Sequence, residues 1–581
     1  MTEKPTFNLL DEPWISCIDS ADAPVALSIR DIFSGRGDAQ KVLGDSPTQD
    51  YAVIRVLLAI FWRAHALDIA RAHSHNSRRA HFDWGEWFAD QRETLIKERR
   101  DEVVLDYLDA FADRFDLLSE TQPFMQVATL HSKKGDTRPI SYIVPEAAED
   151  FFTMRTGDGR QSLSLAEAAR WLIHLQAYDY SGIKTGAEGD PRVKGGKGYP
   201  IGTGWTGRTG GTLVLGTGGL LETLLLNTSQ YVVTTKQDSN PIEGDKPVWE
   251  RKPDTAAQRP GSDDKLGAFP RGAADLATWQ ARRVRLVVEG GRVTRVVVSN
   301  GDRIPDAGKN VLADPMTPYR YSPNQSKKGV TAYYARPYDL TQTMWRGLDS
   351  LIALEDDPGF DQKKDKAPLR PANLSNLAAL DADGYLEKHV FDVALVSMEY
   401  GPQESSVAST FSSTIGLPVV VLRDDDAGRK VRNAVRASAK QTYQAAISMG
   451  WFAGQLRVAA GDDYEFGVAA KDRFYAQLEP QFIEWMSTVA VDTTDESQKI
   501  WQKRARGVAL AHARELLRGA GQKAVIGREI DAGEEGKGRI ISAGSLYRQL
   551  FRRLDKDLPL TAPPAESRSN DSSLKEGKAH A

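Results

Sequence analysis

The sequence contains one cysteine, Cys17, among 581 residues. A single thiol cannot form an intramolecular disulfide, and cysteine-based zinc modules need several cysteines close together. A disulfide-stapled scaffold and a cysteine-rich zinc domain are therefore excluded. This scarcity of cysteine is compatible with a reducing compartment, and we expect a cytoplasmic protein.

Long apolar runs are also missing. The most apolar segment, residues 51–62, is too short to span a bilayer and contains Arg55. The first residues carry acids and a proline where a signal peptide has an apolar core. The sequence therefore predicts no membrane span, and it predicts that residues 51–62 form a helix of the core.

Signatures of catalysis are absent in the same way. No glycine run leads into the Gly-Lys-Ser/Thr ending of a P-loop. Gly202, Gly204 and Gly207 match a dinucleotide-binding motif by letters, but the β-like residues 212–215 follow where a helix should begin. The histidines between residues 65 and 81 lack the spacing of a zinc site. We therefore expect no cofactor, no bound metal and no enzyme activity.

An acidic triplet at residues 424–426 leaves one alternative open. Three neighbouring carboxylates could hold a divalent ion. The adjacent cations Arg423, Arg429 and Lys430 favour a solvated linker and charge at a helix N-terminus instead. A metal-dependent nuclease is accordingly the enzyme alternative.

The residues that are present indicate a large globular chain. Hydrophobic residues make up 41% and charged residues 27%, which suits extensive cores, and the length predicts two or more domains. We predict an α+β fold with a large mixed α/β N-terminal domain at residues 1–422. A C-terminal antiparallel four-helix bundle follows at residues 423–560, and then a disordered tail at residues 561–581.

Local patterns place the main elements of these domains. The apolar spacing predicts bundle helices at about 427–459, 468–490, 496–518 and 543–554. In the N-terminal domain, β-rich residues predict a strand at 231–235 and a hairpin of 284–289 with 293–299, joined by Gly290 and Gly291.

The formal net charge of −4 does not exclude a nucleic-acid partner. Residues 423–560 contain 23 basic and 19 acidic residues, a net charge of +4, so the acidic excess lies earlier in the chain. A phosphate backbone requires local basic patches and not a basic total.

The first such patch is a glycine-rich stretch, with 14 glycines between residues 182 and 219. Five cations lie in or beside it, and only two acids oppose them: Lys184, Arg192, Lys194, Lys197 and Arg208, against Glu188 and Asp190. Glycine lets backbone N–H groups approach a phosphate or a base edge closely. The same composition also fits a mobile surface loop.

The second patch covers residues 317–338, with five tyrosines and no acid. Its four cations are Arg320, Lys327, Lys328 and Arg336. Cations for phosphates, interleaved with rings for stacking, favour a nucleic-acid surface. A tyrosine-bearing sheet edge with solvated lysines is the alternative.

Three segments carry a resemblance to a known family. Residues 7–15 (FNLLDEPWI) resemble the N-terminal signature of the CasA family, the large subunit of the type I-E CRISPR surveillance complex Cascade. Residues 123–126 (PFMQ) are similar to a second family element, and the glycine-rich stretch that continues into residues 224–227 (LLLN) to a third. The resemblance covers essentially the whole chain except the tail. We expect FNLLDEPWI to be a buried starting strand, a signature of fold.

The resemblance implies a non-catalytic subunit. It implies partners in the other Cascade subunits, the 5′ handle of the guide RNA, duplex DNA with a protospacer-adjacent motif (PAM), and a helicase–nuclease. Such a subunit recognises the PAM, promotes strand opening and R-loop formation, and recruits the helicase–nuclease, while base pairing reads the target sequence. The alternatives are a free-standing RNA-binding scaffold and the metal-dependent nuclease.

The resemblance also implies roles for particular residues. The family's glycine loop, which approaches the PAM, falls near residues 195–204, and a straight count places residues 199–202 in it. Gln403, in a Gly-Pro turn, matches the glutamine wedge, and Arg303 and Lys309 are candidates for the PAM-contacting lysine. The DNA-binding candidates are Lys197, Gly198, Gly202, Gly204, Arg303, Lys309 and Gln403.

A further loop, at residues 140–159, is implied to dock near the guide handle and the PAM. Its tip is formed by Phe152, Thr153, Met154 and Arg155. The sequence departs from some relatives in lacking a mid-chain cysteine cluster.

Overall fold

The computed structural model describes residues 5–75, 82–145, 155–234, 244–261, 267–327, 329–338, 347–361, 365–530 and 539–562. The strands are β1 Ile15–Asp19, β2 Pro24–Leu27, β3 Ala39–Val42, β4 Arg138–Pro139, β5 Lys184–Thr185, β6 Lys197–Gly198, β7 Gly211–Leu215, β8 Arg282–Glu289, β9 Arg292–Asn300, β10 Tyr319–Tyr321, β11 Tyr333–Ala335, β12 Val390–Tyr400, β13 Val407–Pro418, β14 Arg528–Ile530 and β15 Arg539–Ile541. The helices are α1 Ile29–Phe33, α2 Pro47–His75, α3 Trp84–Glu98, α4 Glu102–Asp109, α5 Leu165–Tyr178, α6 Leu220–Leu226, α7 Gln230–Val233, α8 Ala273–Ala277, α9 Asp349–Ile352, α10 Ala372–Ala382, α11 Asp426–Ala460, α12 Val468–Ser487, α13 Thr494–Gly519, α14 Gly521–Ile526 and α15 Ala543–Asp557.

The chain forms two compact units, and the predicted α+β fold class is confirmed. One unit comprises Met1–Thr341 with Ser350–Ile415, and the other comprises Gln342–Asp349 with Gly416–Ala581. Strands and helices mix in the first unit, whereas long helices dominate the second. The division of roles between an N-terminal and a C-terminal domain stays a prediction. Within the described ranges, every helix is too short or too polar to cross a lipid bilayer.

Helix α2 forms the centre of the first unit. All residues from 51 to 66 are buried, which confirms the core helix predicted from the apolar run. Arg55 is only 2% exposed and pairs with the buried Asp314 at 2.8 Å. A buried guanidinium is tolerated because this carboxylate neutralises it. The pair thereby ties α2 to the loop that precedes β10.

The first unit also contains small antiparallel sheets, in the orders β2-β1-β3, β13-β12-β7 and β4-β9-β8. The predicted hairpin is confirmed as β8 and β9, and Gly290 and Gly291 take positive φ angles of 57° and 75° in its turn. The strand predicted at 231–235 is wrong, because residues 230–233 form α7. Val233 packs there against Ala66 and Ile69 of α2, and this burial overrides the strand preference of the valines.

The segment FNLLDEPWI is buried only at Leu9, Leu10, Trp14 and Ile15, while residues 11–13 are exposed. Most of it is a turn and not the predicted strand, since β1 starts only at Ile15. Asn8 explains the difference. Its carbonyl accepts from the amides of Asp11 and Glu12, and its side chain accepts from the amide of Leu10 and donates to the carbonyl of Ala112. The signature therefore specifies a folded turn.

The family element PFMQ is also structural. Phe124 stacks on Phe115, with ring centroids 5.4 Å apart. The Gln126 amide donates to the carbonyl of Leu117 at 2.9 Å and accepts from the amide of Leu286 at 2.9 Å. This glutamine thereby joins the N-terminal helices to β8.

The second unit contains the four predicted helices, as α11, α12, α13 and α15. Gln498 of α13 donates to the carbonyl of Ala434 of α11, and Trp501, further along α13, donates to Thr442, so these two helices run parallel. Trp485 of α12 donates to the carbonyl of Ser497, which lies near the start of α13.

Helix α15 runs antiparallel to α11. Ser448 donates to Asp557, whereas Phe452 contacts Tyr547 ten residues earlier in α15. The short α14 and the β14–β15 hairpin were not predicted. Thr561 lies in a 3-10 turn and accepts from Arg506, and from residue 563 on the predicted tail lies outside the described residues.

Asp50, in the first turn of α2, gives a prediction for pH dependence. Burial raises its pKa to about 7, with a further contribution from Asp45, although its carboxylate accepts from the amide of Gly44 at 2.6 Å. A carboxyl that stays protonated in the fold but ionises near pH 4 when unfolded lowers stability as the pH rises from about 4 to about 7. We expect Asp50→Asn to raise the free energy of unfolding at pH 8 by at most about 4 kcal/mol, and the melting temperature with it. The advantage should vanish in a thermal melt near pH 4, and a gain that is independent of pH would contradict the assignment.

Candidate nucleic-acid interface

The segment that follows α5 supports both of the loops implied to meet DNA. Asp179 lies at its start, 3% exposed, and its carboxylate contacts Lys184 at 2.7 Å and also Arg282. Arg282 is fully buried and donates in turn to the carbonyls of Tyr180 at 2.8 Å and Gly202 at 3.0 Å. This buried network holds the glycine-rich stretch on the segment that follows α5.

The same segment holds the turn between β12 and β13. The hydroxyl of Tyr400 donates to the carbonyl of Tyr178 at 2.6 Å. The amide of Ser181 donates to the carbonyl of Glu404 at 2.8 Å. The glycine-rich stretch and the turn at residues 401–406 therefore share one anchor, although about 200 residues separate them in sequence.

The glycine-rich stretch folds back on itself, and Lys184 pairs with Gly198 across the β5–β6 ladder. Lys194 and Lys197 are exposed at the tip, and Gly195 and Gly196 between them have positive φ angles with no neighbouring atom within 4 Å of a Cβ position. The cations of the patch thus separate into two classes. Lys194 and Lys197 face solvent, whereas the buried Lys184 is neutralised by Asp179.

Arg192 also serves the fold. Its guanidinium pairs with Asp190 and donates to the carbonyls of Asn300 and Gly301. The side chain of Asn300 donates in turn to the carbonyls of Gly198 and Tyr199, at 3.1 and 2.7 Å. These bonds join the glycine-rich stretch to the end of β9.

The predicted DNA-binding glycines lie deeper than the tip. Gly198 and Gly204 are buried, and Gly202 is half-buried. A Cβ at Gly204 would overlap the carbonyl oxygen of Ala177, and one at Gly202 would overlap the guanidinium of Arg208. At both positions the space of a side chain is filled by other atoms of this protein and not left open to a ligand. Substitutions at Gly202 or Gly204 would therefore disturb the packing of the loop. The open glycines are Gly195 and Gly196.

Gln403 lies at the tip of the β12–β13 hairpin and is exposed. Gln403 and Glu404 have φ angles of 59° and 55°, a left-handed conformation that costs a non-glycine residue about 1–2 kcal/mol. Backbone strain of this kind concentrates at functional sites. The sequence-based prediction of a tip residue agrees with this geometry, and the wedge role stays a prediction.

The two candidates for the PAM-contacting cation lie in the loop after β9. Arg303 is exposed, and its carbonyl accepts from the amide of Ala268 at 2.9 Å. Lys309 is half-buried, and its ammonium donates to the carbonyl of Gln325 at 3.4 Å. Arg303 lies close enough to Arg208 to lower its pKa, whereas Lys309 belongs with the tyrosine-rich patch.

The tyrosine-rich patch is the β10–β11 hairpin. Arg320 is exposed and lies 5.4 Å from the ring of Tyr334, while Tyr319 and Tyr338 are buried. Two of the five tyrosines thus belong to the core. Of the remaining cations, Lys327 is exposed, Arg336 is half-buried, and Lys328 lies outside the described residues.

Most of the predicted guide-handle tip lies outside the described residues. This applies to Phe152, Thr153 and Met154. Arg155 is described, and it pairs with Glu167 of α5 at 2.6 Å and donates to the carbonyl of Gly159. Its charge is therefore neutralised within the protein.

The acidic triplet has a structural role. Asp425 accepts from the amide of Gly428 as the N-cap of α11, and this hydrogen bond is the main cause of its lowered pKa. It also pairs with Arg423, which lowers the pKa further. Across the described ranges, the geometry brings together no group of three or more histidine, cysteine or acidic side chains that could hold a metal ion.

Sequence reasoning did not identify the supporting residues Asp179, Arg282 and Tyr400. Arg282 lies 103 residues from Asp179, and Tyr400 lies 222 residues from its partner Tyr178. No local pattern connects residues so far apart. The one available signal was an arginine inside a β-rich run, because an arginine that becomes buried in a strand requires a partner for its charge.

Comparisons with known proteins agree over nearly the whole chain. Residues 8–512 match the family described as CRISPR-associated protein Cse1 (CRISPR_cse1). The crystal structure of Cse1 from Thermobifida fusca is 34% identical, with a TM-score of 0.79, over 96% of this chain and 99% of that one.

Two further comparisons are more distant. The CRISPR-associated protein CasA/Cse1 of Thermus thermophilus is 29% identical over 293 residues, which span 49% of this chain and only about half (50%) of the relative. A chain from a structure described as a CRISPR RNA-guided surveillance complex is 18% identical, with a TM-score of 0.60, over 88% of this chain and 100% of that one. At that identity the similarity shows the fold.

Proposed function

The chain belongs to the CRISPR-associated Cse1 family, and from this premise we propose that it is the non-catalytic large subunit of a type I-E Cascade complex. It recognises the PAM in duplex DNA, promotes strand opening and R-loop formation, and recruits the helicase–nuclease. Its partners are the other Cascade subunits, the 5′ handle of the guide RNA and the target duplex. Base pairing with the guide reads the target sequence, whereas this subunit reads only the motif.

One observation supports this proposal above the others. Two segments rest on one support between Tyr178 and Lys184: the stretch from the 194–197 tip to residue 204, which includes the glycine loop implied at residues 195–204, and the 401–406 turn. Cations occupy the first segment, and a strained exposed turn forms the second. A surface that combines phosphate contacts with an inserted tip suits recognition of a duplex and separation of its strands.

A mobility-shift comparison tests the proposal. PAM-bearing and scrambled duplexes are titrated with the isolated chain and with the assembled complex. We expect the assembled complex to prefer the PAM duplex, and neither duplex to be cut. Binding of RNA alone, without any preference among duplexes, would favour the scaffold alternative. Metal-dependent cleavage that a substitution within residues 424–426 abolishes would favour the nuclease.

Gly196 provides a matched test of the glycine loop. We expect Gly196→Asp to weaken PAM-duplex binding by the complex about tenfold or more, because it adds bulk and negative charge at the exposed tip. Gly291→Asp is the control. Its φ angle of 75° matches the 74° of Gly196, and a Cβ meets no neighbour within 4 Å at either position. Equal binding by both variants in a mobility-shift assay would remove the 194–197 tip from the DNA surface.

A further inference from the structure

Within the described ranges, the half-buried Arg208 has no carboxylate partner, unlike the fully buried arginines of the first unit that carry an ion pair. Arg55, Arg63 and Arg282 each pair with a buried acid. Arg208 is half-buried and forms no ion pair within the described part of the chain, and its Nε donates to the hydroxyl of Thr203 at 3.3 Å. A guanidinium has five N–H donors, so most of its hydrogen-bonding capacity is unused.

The position of Arg208 links the two predicted DNA-contacting segments. Its guanidinium lies directly over Gly202, where any side chain would overlap it. The preceding residue, Gly207, packs against the ring of Tyr400 at the base of the β12–β13 turn. The cation is therefore held between the glycine-rich stretch and the turn that carries Gln403.

The surroundings of Arg208 are electrostatically unfavourable for a cation. Its pKa is lowered, first by burial and then by the nearby Arg282 and Arg303, while Glu404 acts in the opposite direction. Arg303 also forms no ion pair within the described ranges. Two neighbouring cations without an ion-pair partner among the described residues, whose charge Glu404 offsets only in part, mark a position where an anion would be stabilised.

We propose that Arg208 binds a backbone phosphate of the PAM duplex, with Arg303 as a second cation beside it. This inference rests on the proposed function. The planar fork of a guanidinium matches two phosphate oxygens. A phosphate contact fixes the register of a duplex but carries no sequence information. Arg208 thus sets where the duplex lies between the glycine loop and the Gln403 turn, and other groups read the motif.

Salt titrations of the assembled complex test this role. We expect Arg208→Gln to weaken binding of PAM and scrambled duplexes by the same factor, about tenfold at low salt, with the ratio between them unchanged. The slope of log affinity against log salt should fall by about 0.9, the value for one released counterion. Arg208→Lys keeps a point charge and should keep the slope. Lys41→Gln, which removes one exposed charge from β3, is the control and should leave both duplexes unaffected.

A melting curve separates binding from folding. Because Arg208 has no buried partner, Arg208→Gln should melt no lower than the wild type. A lower melting temperature that Arg208→Lys restores, with duplex binding unchanged in both, would make Arg208 structural and overturn the proposal.

The remaining outcomes are also distinct. An unchanged affinity and salt slope in Arg208→Gln, in a complex that still prefers the PAM duplex, would overturn the phosphate role alone. A loss confined to incorporation of the guide RNA would assign the arginine to RNA instead. A wild-type complex without any PAM preference would overturn the proposed function itself.

Discussion

Replacing Gln403 by alanine is expected to slow R-loop formation on linear PAM duplex by about tenfold or more, while incorporation of the subunit into the complex stays unchanged. Unstacking one base step costs a few kcal/mol, and a side chain inserted beside the first target base pair offsets part of that cost. About 1.4 kcal/mol corresponds to a factor of ten in rate. The amide of Gln403 is exposed and forms no hydrogen bond within the described ranges, so its removal should not disturb the fold.

The measurement is the opening rate at the first target base pair, followed with a fluorescent base analogue in linear and negatively supercoiled DNA. Negative supercoiling lowers the cost of opening, so the defect should shrink on the supercoiled template. Glu404→Ala is the neighbouring control, because Glu404 shares the turn and its left-handed backbone, with a φ angle of 55°. That variant should open DNA at least as fast as the wild type. Unchanged opening by Gln403→Ala on linear DNA would exclude the wedge role, and equal loss in both variants would assign the effect to the turn's backbone.

The exposed tip at Gln403 was predictable because its signal is local. Gly401 and Pro402 precede it, a pair typical of turns, and the strands on either side are long. The β8–β9 hairpin and the four long C-terminal helices were predictable for the same reason. Periodic apolar spacing and a Gly-Gly turn act over a few residues.

The arrangement of the glycine-rich stretch could not be predicted from local patterns. Composition alone placed Lys184 and Lys194 in one basic patch, yet one is buried in an ion pair and the other is exposed. The difference depends on Asp179 and on a strand that begins at residue 282. Which glycines face solvent depends likewise on distant elements, because the backbone of α5 fills the space beside Gly204.

Asp179 is the group whose loss should damage the fold most. Asp179→Asn would leave the buried cations Lys184 and Arg282 with a neutral partner, since the carboxylate now contacts both. Removing one partner of a buried ion pair typically costs about 3–5 kcal/mol, because it leaves an uncompensated charge in a region of low polarity. We expect a loss of that size in the free energy of unfolding of the first unit. Amide exchange should accelerate at Gly186 and Lys197, whose N–H groups donate within the β5–β6 hairpin.

A double variant separates the charge effect from lost packing. Asp179→Asn combined with Lys184→Met removes one of the two buried cations that have lost their counter-charge. The double variant should therefore recover part of the stability that the single variant loses. Burial already lowers the pKa of Lys184. Because Lys184 without its carboxylate releases its proton more readily, the defect of Asp179→Asn should shrink as the pH approaches the ordinary lysine pKa of about 10.4. A cost below about 1 kcal/mol, the range of exposed pairs, with unchanged amide exchange would show that this network does not hold in place the two loops that we propose to contact DNA. The loops that carry Gly196 and Arg208 would then have to be held by contacts other than those of Asp179.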